Sequence, residues 1–230
     1  MKSKDIKKFG STLVTGEIYH IFSKSIAGFR IFKRKAEFKR IKEMLQYYVF
    51  EKPSIRFSYF LRAPQKEKEK FVEAVSKNNI QNKGKIVNIV AYCIMPTHIH
   101  LVLQPLKERG ISIFMKNLLD SYTRYFNVKY KRKGPLWEGR FKRVWVGSEN
   151  QLLHLTRYIH LNPVTAGLVK RPEEWFASSF NEYIEGDRKD KLCRYDALLK
   201  ISPESYKKFV KERIFYQKQL AKIKELTFDV

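Results

Sequence analysis

The stretch Ile89-Val90-Ala91-Tyr92-Cys93-Ile94-Met95-Pro96-Thr97-His98-Ile99-His100-Leu101-Val102-Leu103 is apolar almost throughout, yet it holds two histidines one residue apart. Its β-branched and aromatic content, broken at Met95-Pro96-Thr97, predicts two short strands joined at that point. Side chains in a strand alternate faces, so His98 and His100 project from the same side of a sheet. Two neighbouring imidazoles can be ordinary strand residues, or they can offer two nitrogen ligands to one divalent metal.

Composition narrows the choice. The 230 residues contain 47 Lys+Arg against 23 Asp+Glu, a formal net charge of +24. A surplus of this size points to a polyanionic partner, with nucleic acid favoured over a membrane surface. No run of about 18 apolar residues suggests a membrane span, and the basic N-terminus lacks the apolar core of a signal peptide. Cys93 and Cys193 are far apart and read as thiols of a reducing compartment, not as a disulfide framework or a metal cluster. A metal held beside a phosphate polymer suggests phosphodiester chemistry.

Around the histidine hairpin, residues 16–23 alternate as a first strand and 34–50 carry Phe38, Ile41, Leu45 and Tyr48 at helical spacing. Residues 55–61 read as a possible further strand, and 64–84 as a charged, exposed insertion. Ser112 is placed to cap a long helix with the stripe Ile111, Phe114, Met115, Leu118, Leu119, Tyr122 and Phe126. Residues 140–146 alternate as a basic, partly exposed strand. Ser148 and Gln151 have capping-box spacing, with Glu149 in the first turn, and open a helix expected to stop near Leu161 against Asn162-Pro163. A further helix is expected over 173–184, and a basic, peripheral helical segment over 205–226.

On the capped helix, Tyr158 and Asn162 are four residues apart and share a face, while Leu152, Leu155 and Ile159 turn to the core. The Asn162 amide oxygen can ligate a hard cation. Two strand histidines, an amide oxygen and a phenol together form the parts of a metal-assisted nucleophile site. Each part also has a plain structural reading. A helical tyrosine is usually packed, Tyr122, Tyr125 and Tyr130 read as core or rim, His154 and His160 as structural, and Cys93 as core.

In this sequence His98-Ile99-His100 resembles the His-hydrophobe-His signature of the HUH endonucleases, and Met95-Pro96-Thr97 resembles the lead-in of single-tyrosine transposases. Gly134-Pro135-Leu136-Trp137-Glu138-Gly139-Arg140-Phe141, then Arg157-Tyr158-Ile159-His160-Leu161-Asn162-Pro163-Val164-Thr165-Ala166-Gly167-Leu168-Val169, then Trp175-Phe176-Ala177-Ser178-Ser179 follow in order. Over about residues 16–183 the chain resembles the REP-associated tyrosine transposases.

The resemblance implies an α+β fold: a small antiparallel sheet covered by helices (a ferredoxin-like or RRM-like palm), with a helical C-terminal extension. It divides the chain into a catalytic domain over 1–184 and an extension over 185–230. It implies nicking and joining of single-stranded, hairpin-forming DNA through a 5′-phosphotyrosine. Tyr158 would be the nucleophile, and His98, His100 and Asn162 the ligands of Mg²⁺ or Mn²⁺. Asn162 departs from the longer Gln found in part of the family. Lys131, Arg132, Lys133, Arg140, Lys142 and Arg143 are expected to form a phosphate track, with Trp137 or Phe141 stacking a base. The expected setting is prokaryotic, cytoplasmic and nucleoid-associated, with monomer and homodimer both open. Two rivals remain: a DNA-binding protein of the same fold without chemistry, and a metal-dependent hydrolase that uses water.

Overall fold

The computed structural model describes residues 13–51, 56–68, 70, 84–185 and 191–216. The histidine stretch forms the predicted hairpin, β2 (Val87–Met95) and β3 (His98–Pro105). β1 (Ile18–Lys24) pairs with β3, and β4 (Lys142–Val146) pairs with β1, giving an antiparallel sheet in the order β2-β3-β1-β4. The turn between β2 and β3 is pinned from outside. Ser25 N–H donates to the Thr97 carbonyl at 2.8 Å, and the N–H groups of Ile31 and Phe32 both donate to the Pro96 carbonyl, at 2.9 and 3.0 Å. Proline cannot donate to a ladder, but its carbonyl here takes two bonds that hold His98 at the start of β3.

Register decides the two faces. Tyr19, Ile21, Ile99, Leu101, Leu103, Tyr92 and Ile94 share one face and are buried. Helix α1 (Lys35–Tyr48) lies on that side and packs against α3 (Gly110–Lys129), whose predicted apolar stripe is buried in full. The opposite face carries His98, His100, Phe22, His20 and Lys24. Helix α4 (Glu149–Thr165) packs against β2. The α+β fold expected from the motifs is the fold observed.

Several local expectations need correction. Residues Phe57–Arg62 form a helix, α2, not a strand, because Phe57 and Phe60 at i,i+3 both turn onto Tyr47. Ser112 lies inside α3. The helix begins at Gly110, where the missing side chain lets the backbone close on the Ile86 carbonyl. The expected helix over 173–184 is a 3-10 turn, Pro172–Glu174, followed by a short helix α5 (Phe180–Ile184). Residues 177–179 between them line the edge of β2. Ile94 N–H donates to the Ala177 carbonyl at 2.9 Å and Ser179 N–H to the Tyr92 carbonyl at 3.0 Å, so the strand edge is covered.

Helix α6 (Pro203–Lys211) is basic but not peripheral, since Tyr206 and Val210 are fully buried against α4 and α5. Most of the expected insertion, the first twelve residues and 217–230 lie outside the described residues. Among the described residues no helix is long and apolar enough to cross a membrane.

Candidate active site

Helix α4 carries Tyr158. Ser148 Oγ accepts from Gln151 N–H at 3.1 Å and Gln151 Oε1 accepts from Gly147 N–H at 2.9 Å, so the capping signals start the helix as expected. The helix does not stop at Leu161. It runs through Pro163 to Thr165, with Pro163 buried and its carbonyl accepting from Leu168 N–H at 2.9 Å. Proline within two residues of the helix end sacrifices a single ladder bond, and burial of Leu161, Pro163 and Val164 offsets that loss. The consequence is local but decisive: Asn162 keeps helical backbone and stays one turn from Tyr158, on the same face. Leu152 and Ile159 face the core as expected, while Leu155 is only half-buried and Thr156 takes its place.

Tyr158 projects from this helix over the sheet. Its ring packs edge-on to His100 with centroids 6.1 Å apart, and the side chain remains 45% exposed. Burial raises the phenol above its ordinary pKa, and among the described residues no hydrogen bond engages its oxygen. The phenol and the histidines meet within one chain.

His98 and His100 lie with ring centroids 5.0 Å apart. Burial is the main cause that lowers His98 to about 4, with Lys24 adding to it. Burial lowers His100 to about 3, helped by His98, His20 and Lys24. Both rings are therefore neutral at pH 7 and keep a lone pair. Thr97 Oγ1 lies 2.8 Å from His98 Nδ1, and His20 Nε2 lies 3.0 Å from His100 Nδ1. If both Nδ1 atoms carry the proton, each Nε2 is left as an acceptor. Such a contact on the second nitrogen is the common way to orient a metal-binding imidazole.

Among the described residues no three His, Cys, Asp or Glu side chains form a metal cluster. His20 and His100 point nitrogens at each other, so a third ligand from the described residues would be of another type. Asn162 fits that requirement, because its amide nitrogen is buried without a hydrogen-bond partner among the described residues. The two amide atoms exchange by a half-turn of the group, so the orphaned position can present the oxygen to a cation.

His20, Phe22 and Lys24 were not singled out from the sequence. They alternate at i, i+2 and i+4 on β1, which announces a common face, but only the pairing Phe22–His100 and Lys24–His98 shows which face it is. Lys142 stands opposite Phe22 on the other side of β1 and is exposed, so it joins the same face.

The expected DNA-binding segment divides. Lys131, Lys133, Arg140, Lys142 and Arg143 are exposed. Arg132 is instead a loop clamp, donating to Asn127 Oδ1 at 3.1 Å and to the Gly134 and Pro135 carbonyls at 3.3 and 2.6 Å. Trp137 is 8% exposed, lies against Phe32 and Tyr122, and donates to the Leu119 carbonyl at 3.2 Å. It is a core residue and has no open face for a base. Phe141 is half-buried.

The plain readings of the remaining groups hold. His160 is buried between Tyr206 Oη and Ser179 Oγ, each at 2.7 Å, and burial lowers it to about 3. His154 Nδ1 lies 2.7 Å from Arg157, which stacks on Phe209. Tyr122 is buried and donates to the Ile31 carbonyl at 2.7 Å, while Tyr130 donates to Glu37 at 2.9 Å. Cys93 is buried beside Met95.

Residues 57–162 match the family model described as transposase IS200 like, an interval that holds both histidines and ends on Asn162. The resemblance is to the REP-associated tyrosine transposases. A curated Haemophilus influenzae (strain ATCC 51907 / DSM 11121 / KW20 / Rd) protein named as a REP-associated tyrosine transposase is 32% identical over 109 residues, covering 43% of this chain. That match spans 61% of the relative's own length. Among solved structures, a REP-associated tyrosine transposase bound to a REP hairpin is similar with TM-score 0.48 and 15% identity, covering 80% of this chain and 90% of that one. A transposase structure from Deinococcus radiodurans is similar with TM-score 0.35 and 16% identity, covering 66% and 95%.

Proposed function

We propose that this IS200-like transposase chain nicks single-stranded, hairpin-forming DNA by attack of Tyr158 on a backbone phosphate, and rejoins strands by the reverse step. The observation that carries the reading is the placement of a half-exposed phenol, without a hydrogen-bond partner among the described residues, beside a pair of neutral imidazoles. The Tyr158 oxygen forms a bond to phosphorus, the bond from phosphorus to the 3′ oxygen breaks, and the phenol proton ends on that departing oxygen. The products are a 5′-phosphotyrosine and a free 3′-hydroxyl. A second 3′-hydroxyl attacking the phosphotyrosine reverses the bookkeeping, joins the strands and returns the phenol.

His98, His100 and Asn162 are the residues that would hold Mg²⁺ or Mn²⁺. A bound cation supplies charge stabilisation at the phosphate, worth several kcal/mol as an order of magnitude. The chain's own contribution is orientation. His20 and Thr97 fix the imidazoles, and the capped helix fixes the phenol. The need for such help is plain, because a phenol with a pKa already about 10 in water and raised further by burial is a weak nucleophile at pH 7. Lys142 and Lys24, on the same face as the histidines, are suited to contact the phosphates on either side.

The test is incubation with a single-stranded hairpin oligonucleotide and Mn²⁺ or Mg²⁺. A covalent protein–DNA adduct is expected, absent in Tyr158→Phe. Cleavage that survives in Tyr158→Phe assigns the chemistry to water. Salt-sensitive binding with no cleavage under either metal leaves a DNA-binding protein without chemistry.

A further inference from the structure

A groove lies across β2 from the proposed nicking site. Tyr92 and Ile94 alternate along the strand with Cys93 and Met95, so they face away from the histidines. Between them, α1 and the segment at Phe176-Ala177 is a groove of about 350 Å³, within the size range of small-ligand pockets. Its apolar wall is Phe38, Ile94 and Phe176. Phe176 is held edge-on to Phe38 with centroids 5.3 Å apart, yet it remains 48% exposed. Trp175 also lies against it, with centroids 5.8 Å apart, so the ring is held from two sides while about half of its surface stays open.

The rim is cationic. Lys35, Lys39 and Lys42 stand at i, i+4 and i+7 on α1, on one side of the helix. Among the described residues none of the three is ion-paired. The acidic residues of the same helix are engaged elsewhere, Glu37 by Lys129 and Tyr130 and Glu43 by Lys68. Lys42 is half-buried, with its Nζ 5.8 Å from the centroid of the buried Tyr92 ring.

We infer that this groove binds one unpaired nucleotide of the single-stranded DNA substrate, with the base on Phe176 and the flanking phosphates on Lys35 and Lys39. Lys35 and Lys39, exposed and not ion-paired among the described residues, favour an anionic occupant, and the largely apolar wall with a half-exposed aromatic ring beside them suits a base better than a simple anion. An acidic peptide would satisfy the lysines but leave the ring without a stacking partner. This inference rests on the DNA reading above. It adds a place where the strand is gripped on the far side of the edge from the reacting phosphate.

The experiment measures binding of a fluorescent single-stranded hairpin oligonucleotide to the full chain in EDTA, across a salt series, so that no cleavage intervenes. Phe176→Ala should weaken binding roughly 5- to 150-fold with the salt slope unchanged, and Phe176→Trp should restore it. Lys35→Glu with Lys39→Glu should lower the slope of log affinity against log salt by about 1.4, two phosphates at about 0.7 each. Both lysines are exposed, so an unchanged thermal melt serves as the folding control for that variant. Wild-type affinity and slope in the lysine variant would overturn the inference. So would binding of poly-glutamate that is lost in the lysine variant while DNA binding is unchanged. Adduct formation is scored separately on the wild type with Mn²⁺. Groove variants that lose binding in a chain that forms no adduct sink the nicking reading alone, and an adduct with unaffected groove variants sinks the groove alone.

Discussion

Replacing His20 probes how the histidine pair is set. In the wild type His20 Nε2 is 3.0 Å from His100 Nδ1, and the two rings stack at 5.2 Å. His20→Ala removes that contact inside a site whose burial already lowers His100 to about 3. An unsatisfied buried donor costs about 1–3 kcal/mol. The ring avoids that cost by moving its proton to Nε2, and the nitrogen proposed to face the cation then becomes a donor. Loss of such an orienting partner typically lowers metal affinity about 10- to 100-fold, which is about 1.4–2.7 kcal/mol. The second range falls within the first. The assay is calorimetric titration of Mn²⁺ into wild type, His20→Ala and His20→Gln, without DNA. His20→Ala should bind 10- to 100-fold more weakly, and His20→Gln, which keeps an acceptor, should recover most of the difference. Wild-type Mn²⁺ affinity in a folded His20→Ala protein would refute the reasoning.

Three further outcomes are expected. A methyl group at Gly110 would collide with the Ile86 carbonyl oxygen, so Gly110→Ala should destabilise by about 1–3 kcal/mol, read as a melting temperature lower by about 2–4 °C per kcal/mol. Trp137→Phe should lower the melting temperature while leaving the oligonucleotide affinity of the folded protein unchanged, since Trp137 is a core residue. A clear drop in affinity at unchanged stability would restore a stacking role. Glu37 is pushed up by burial, but hydrogen bonds from Lys129, Tyr130 and the Arg34 N–H outweigh this and hold its carboxyl below the ordinary range. Its contribution to stability is therefore complete above the unfolded value of about 4.3 and is lost as pH falls through the lowered folded value. Denaturant melts from pH 7 to 3 should show Glu37→Gln less stable than wild type above about pH 4, the gap closing below it. A gap that widens toward pH 3 would contradict the sign.

Much of this was legible along the chain because the relevant physics is local. The apolar run over 89–103, broken at Met95-Pro96-Thr97, specified a hairpin, the i, i+2 spacing put His98 and His100 on one face, and the Ser148–Gln151 cap fixed the phase of the helix that carries Tyr158. Period and capping depend on neighbours within about one turn, so the sequence determined which residues share a face. Only the tertiary structure decided which faces meet. His20 entered the site because β1 is the strand that pairs with β3, a choice of register over eighty residues of separation. Trp137 left the expected DNA surface because Phe32, Leu119 and Tyr122 close over it. Asn162 stayed in helix before a proline because burial of the following residues outweighs one lost backbone bond. Each of these outcomes is set by long-range packing, which overrides a local preference worth about a kcal/mol and leaves no periodic mark in the sequence.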